Sequence, residues 1–181
     1  MFRHDSKKIH ASMGINMMIA QVAGAYLGAL YWTFVAWGAK PMMPVGTKNA
    51  KDEWVTGPFV FQSIMQEILG TFIFVLFFKI VTDERLHFSK EPTINCFIIA
   101  CSYVASRSIV NGAKLNIIST YGACLNPAVA IGISLNSVIN WPGDTFAWFW
   151  IYWLLPFVGS ILSIIFYRFV YMKTQLMIMS D

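Results

Sequence analysis

Four stretches of this chain run for the length of a bilayer with at most one charged residue inside each. No other feature constrains the fold as strongly. A helix needs about 20 apolar residues to cross the hydrocarbon core, and lipid offers nothing to an unpaired amide or carbonyl. The spacing predicts spans at 13–37, 54–78, 93–110 and 145–168. The first carries Gly24 and Gly28, which with Ala20 form a small-residue stripe along which another helix can approach closely. Glu67 lies in the second, and Arg107 lies near the far end of the third, where a long side chain can snorkel to the interface. Composition agrees: 57% of the 181 residues are hydrophobic and 12% are charged, against about a quarter in soluble domains. The expected fold is an all-α membrane protein forming a single membrane domain over 1–181.

A fifth apolar stretch does not fit the crossing pattern. Leu115 to Asn140 contains no charge, yet Gly122 and Pro127 interrupt it and neither half is long enough to span. Such a segment at 115–140 reads as re-entrant, entering and leaving on one side, with its backbone buried in protein or lining a wet cavity. Within it, Asn is a preferred N-cap and Pro suits the first helical position, so Asn126-Pro127-Ala128 should open a short helix over about 126–135. An ordinary capped helix in a loop would show the same tripeptide. Its place inside an uncharged stretch between two spans favours the re-entrant reading.

Basic residues sort by side. Arg3, Lys7, Lys8, Lys79, Arg85, Lys90, Arg168 and Lys173 fall on the side of the termini, and Lys40, Lys48, Lys51, Arg107 and Lys114 fall opposite. The excess places the termini on the cytoplasmic or matrix side. The start, Met-Phe-Arg-His-Asp-Ser-Lys-Lys, is short and polar for a cleavable secretory signal, and a mitochondrial inner membrane is the expected location. The net charge of +4 is spread over the loops, so no nucleic-acid partner is expected.

Enzyme chemistry finds little footing. His4, His10 and His87 lie outside the spans, and no His or Cys pair has metal-ligand spacing. No phosphate-binding glycine loop or Ser-His-Asp set is visible, so no catalytic residue, metal or cofactor is expected. Cys96, Cys101 and Cys124, an odd number in apolar sequence, read as buried small hydrophobes.

The segment Leu125-Asn126-Pro127-Ala128 resembles the signature half-helix of the aquaporin, or major intrinsic protein, family. Three further motifs follow the same order. The run from Ala20 and Gln21 through Gly24 and Gly28 to Ala29 is similar to that family's third span. Gln66-Glu67 with Gly70-Thr71 resembles the start of its fourth, and Trp150 to Gly159 followed by Tyr167-Arg168 resembles its sixth. Arg3 to His10 looks like the link into the third span.

The resemblance implies a partial aquaporin fold. The family is built from two inverted repeats whose half-helices meet at the midplane, and the match begins at the third span. Two spans and one half-helix of the family pattern have no counterpart, which implies that this polypeptide cannot alone enclose a pore. Glu67 is implied to hold re-entrant backbone amides. Water-conducting relatives carry Arg directly after the second tripeptide, where this chain has Val129, and their usual histidine position corresponds to Lys114. Drift in a pore under no transport constraint explains this more economically than a re-tuned filter, because an unpaired Lys in a constriction is costly. The expected function is a non-conducting structural subunit of a larger membrane complex, in which other membrane subunits cover the missing first repeat and lipid covers the rest. The alternative is a channel for water or a small neutral solute, completed by a partner chain.

Overall fold

The computed structural model describes residues 11–36, 58–83, 85, 89, 91–111, 124–140 and 149–180. Every element among them is helical: α1 (Ala11–Val35), α2 (Pro58–Thr82), α3 (Pro92–Asn111), α4 (Pro127–Asn140) and α5 (Phe149–Phe166). The last helix runs through a π-helical turn, Tyr167–Tyr171, into α6 (Met172–Ser180). The protein is an all-α membrane protein. Proline marks three of the starts: Pro58, Pro92 and Pro127 each occupy the first helical position, where a missing N–H costs nothing.

Among the described residues three helical stretches are both long and apolar enough to cross a membrane: Ser12–Val35, Val60–Thr82 and Phe149–Ile178. The expected third span, α3, has the length, about 30 Å at 1.5 Å per residue, but Asn95, Ser102, Ser106, Arg107 and Ser108 make it more polar. The second helix begins and ends four residues later than 54–78 because Pro58 sets its start. The last continues well beyond 168, since no Pro or Gly follows Arg168 to stop it. One wide turn lets it pass there without a break.

That wide turn is anchored. Tyr167, buried, donates its hydroxyl to Asp83 Oδ2 at 2.6 Å, just past the end of α2. Arg85 holds the same carboxylate through Nε at 2.9 Å and Nη2 at 2.5 Å, and this guanidinium keeps Asp83 well below the usual carboxylate range. Lys79 lies 6.0 Å over the Tyr167 ring, so its charge ends on an aromatic face at the end of the span.

Helix α2 sits at the centre and packs against α3 and α5, while α4 packs against α5 and α1. Among the described elements α1 rests on α4 alone. Small residues set both close crossings. A Cβ on Gly159 of α5 would stand 2.5 Å from the Ile68 carbonyl oxygen of α2, and one on Gly132 of α4 would stand 2.5 Å from the Tyr26 nitrogen of α1. Helices in lipid gain nothing by hiding apolar surface from one another, so this backbone proximity and its dispersion contacts hold them. Cys124, Ala130, Ile151 and Tyr152 form the buried centre between α2, α4 and α5, and most large apolar side chains elsewhere face outward.

Candidate re-entrant site

The site is built where the chain enters α4. Glu67, fully buried in α2, points both carboxylate oxygens at the backbone before that helix. Its Oε1 accepts from the Cys124 N–H at 2.6 Å and its Oε2 from the Leu125 N–H at 3.0 Å. Charge-assisted bonds of this kind are roughly twice as strong as neutral ones. They hold a backbone that would otherwise be strained: Leu125 has φ +53°, a left-handed conformation that costs a non-glycine residue about 1–2 kcal/mol. The left-handed Leu125 sets the direction in which the next residue starts a helix.

Asn126 is that start. Its Oδ1 accepts from the Ala128 N–H at 2.9 Å, and its own carbonyl accepts from the Ala130 N–H at 3.1 Å. Pro127 follows as the first helical residue. Ala128 is buried, whereas Asn126 and Val129 are half-buried. The helix runs to Asn140, five residues beyond the expected end at 135, because nothing in Ser134 to Asn140 breaks it. A capped helix beginning inside the protein presents a positive dipole end there, with the Asn126 amide beside it as a donor for a polar oxygen.

Two of the expected site residues, Lys114 and Gly122, lie outside the described residues, as does the first part of the 115–140 stretch. Gly24 and Gly28 stand apart from the site. Both are exposed, with nothing within 4 Å of where a Cβ would be, so the tight crossing expected of them falls elsewhere. Its place is taken by the adjacent face of α1, where Ala25 and Tyr26 meet Gly132 and Ala29 is buried. Cys124 is buried as expected, but Cys96 and Cys101 are exposed on α3, on a surface where a small apolar side chain meets lipid as readily as core.

Sequence reasoning missed a second polar arrangement, at the other side of α4. The buried Asn136 donates from Nδ2 to Thr33 Oγ1 of α1 at 3.1 Å, and Thr33 donates to the Ala29 carbonyl at 3.0 Å. Asn140 completes it by donating to Asn136 Oδ1 at 2.9 Å. Two asparagines four apart in an apolar helix were the available signal, since each must find a partner away from water. The guanidinium of Arg107 lies 6.0 Å over the ring of Tyr103, the residue that packs on Leu125.

The geometry thus defines a membrane helix bundle with a capped half-helix suspended from a buried carboxylate. The family model described as major intrinsic protein matches residues 5–167, and the chain belongs to that family. A probable aquaporin TIP2-2 from Oryza sativa subsp. japonica is 28% identical over 88% of this chain and 54% of its own length. Aquaporin-4 of Milnesium tardigradum is 26% identical, over 83% of this chain and 46% of the relative. An aquaglyceroporin of Plasmodium falciparum (isolate 3D7) is 28% identical, over 82% and 56%. The chain spans about half the length of these curated relatives. No solved structure matches it.

Proposed function

We propose that this chain is an aquaporin-like structural subunit of a larger membrane assembly and does not conduct water by itself. One observation carries the reading. Among the described residues α1 rests on α4 alone and its outer face is bare, so nothing described closes a wall around the half-helix that Asn126 caps. Val129 supports it, because an apolar side chain after the tripeptide supplies no charge to select a solute. The partners in this reading are membrane helices that cover α1, with lipid over the remaining apolar surface. The basic-residue count favours termini on the cytoplasmic or matrix side, and the mitochondrial inner membrane is the location proposed.

A second reading keeps a specific observation on its side. The Asn126 cap and the Glu67 bonds are the parts a channel for water or a small neutral solute would need, and a partner chain with another half-helix would complete it. Two experiments separate the readings. Sizing the particle purified from the native membrane and sequencing its chains should find a large assembly without a second Asn-Pro-Ala chain. Finding such a chain favours the channel. Stopped-flow light scattering on proteoliposomes holding this polypeptide alone should show osmotic shrinkage no faster than empty vesicles, and markedly faster shrinkage that Asn126→Asp abolishes would overturn the structural reading.

A further inference from the structure

An arginine one helical turn beyond the residue that packs on the buried turn before α4 needs a physical reason to be there. Tyr103 of α3 packs on Leu125, so the level of the re-entrant turn is the level of Tyr103, about midway along α3. Arg107 stands four residues further on, on the same face of the helix. A guanidinium at this depth normally costs several kcal/mol and normally stretches toward water. Here its guanidinium lies over the Tyr103 ring, 6.0 Å from its centre. The ring is itself fixed edge-on against Phe74 of α2 at 5.5 Å, so the arginine rests on a surface shared by α2, α3 and the turn. The turn that Tyr103 touches at Leu125 is held by Glu67, a fully buried carboxylate whose two oxygens accept from the Cys124 and Leu125 N–H groups. Those bonds satisfy its lone pairs, and among the described residues no cation bonds to it directly.

We propose that Arg107 is a positioning residue for the re-entrant turn: resting on Tyr103, it supplies the positive charge that offsets Glu67 inside the membrane and so keeps Cys124 and Leu125 bonded to that carboxylate. The role is the same whether or not the assembly conducts any solute, and its test does not pass through transport. It also accounts for the polarity of α3. A helix that must carry a cation at mid-depth beside a packed neighbour is selected for more than apolarity.

Cys124 reports the state of the turn. It is buried, and its N–H is one of the two that Glu67 holds, so loosening the turn exposes its thiol. Full-length protein with Cys96→Ser and Cys101→Ser, in nanodiscs, is labelled with a membrane-permeant maleimide, and the rate at Cys124 is measured. Removing a cation that offsets a buried carboxylate destabilises what that carboxylate holds, so Arg107→Gln should accelerate labelling about tenfold or more. Arg107→Lys, which keeps the charge, should restore most of the protection. In a Glu67→Gln background, Arg107→Gln should add little, because the charge it offsets is gone. Unchanged labelling in Arg107→Gln overturns the proposal, and so does an equal acceleration with and without the Glu67 charge, which a purely packing role would give. Should Arg107→Gln fail to fold, its recovery when combined with Glu67→Gln supports the proposal, and failure of the double variant defeats it.

Discussion

The two sides of α4 are held by different chemistry. Where the chain enters, α2 supplies a buried carboxylate with two short bonds to the backbone of Cys124 and of the positive-φ Leu125, and a crossing with α5 tight enough to exclude a methyl group. On its other flank α1 supplies a side-chain bond between neutral groups, from Asn136 to Thr33, and a comparable crossing at Gly132, and then turns most of its surface away from everything described. The first region is complete in itself. The second is complete along one face only. In a membrane this difference is informative, because a bare apolar face costs nothing against lipid, whereas an unmatched carboxylate or amide costs several kcal/mol. Hence the turn has to be satisfied within the chain, and α1 can wait for a neighbour.

The sharpest way to break the first region is Glu67→Ala. It leaves the Cys124 and Leu125 N–H groups buried without acceptors, at about 1–3 kcal/mol each, and removes what stabilises the left-handed Leu125. A loss of about 3 kcal/mol or more is expected, read as a lower midpoint of thermal unfolding in detergent followed by tryptophan fluorescence. A change below about 1 kcal/mol would mean that the turn is held mainly by packing of Leu125 on Tyr103.

Much of this was legible in the chain before any coordinates. Asn126-Pro127 marks the start of α4 because capping and proline chemistry are local. The role of Glu67 came through family resemblance, since nothing local says which amides a lone membrane carboxylate will find. What stayed hidden was orientation. In water an amphipathic stripe tells which face of a helix packs, but α1 is apolar all round, so its periodicity carries no facing information. The Gly24 and Gly28 stripe was therefore as plausible a packing face as the neighbouring Ala25 and Ala29, and only the three-dimensional pairing with Gly132 separates them. The end of the last helix was unreadable for a related reason. Arg168 looks like an interfacial stop, yet the Tyr167 bond to Asp83 makes it the middle of a continuing helix.

A smaller effect compares the two close crossings directly. Gly159→Ala would drive a methyl group against the Ile68 carbonyl and the Thr71 side chain, and Gly132→Ala would drive one against the backbone of Ala25 and Tyr26. Backbone cannot step aside as a side-chain tip can, so each substitution should cost about 1–3 kcal/mol, partly offset by the better helix propensity of Ala. The two should differ in kind. Gly159→Ala separates α2 from α5 and should lower the unfolding midpoint of the whole bundle. Gly132→Ala should release α1 while leaving the Glu67 turn seated, which site-specific proteolysis or hydrogen exchange confined to α1 would show. If Gly132→Ala instead unfolds everything cooperatively, the two regions are a single unit and the contrast fails.

The smallest effect in the isolated chain bears most on what surrounds it. Gly24→Ala and Gly28→Ala introduce methyl groups into open space on the exposed face of α1, and glycine inside a helix is about 0.5–1 kcal/mol less favourable than alanine. Alone in detergent, the double variant should be unchanged or slightly more stable. Within the native membrane the expectation reverses if foreign helices lie along this face, since small residues are what allow backbones to approach closely and added methyl groups hold them apart. Co-purification of the assembly with the double variant should then fall severalfold, while the same variant with its thermal midpoint intact rules out misfolding as the cause. An assembly that forms normally around two added methyl groups would place its helices on another face of α1, or show that lipid alone covers this one, and the outer surface of α1 would then lose its part in the structural reading.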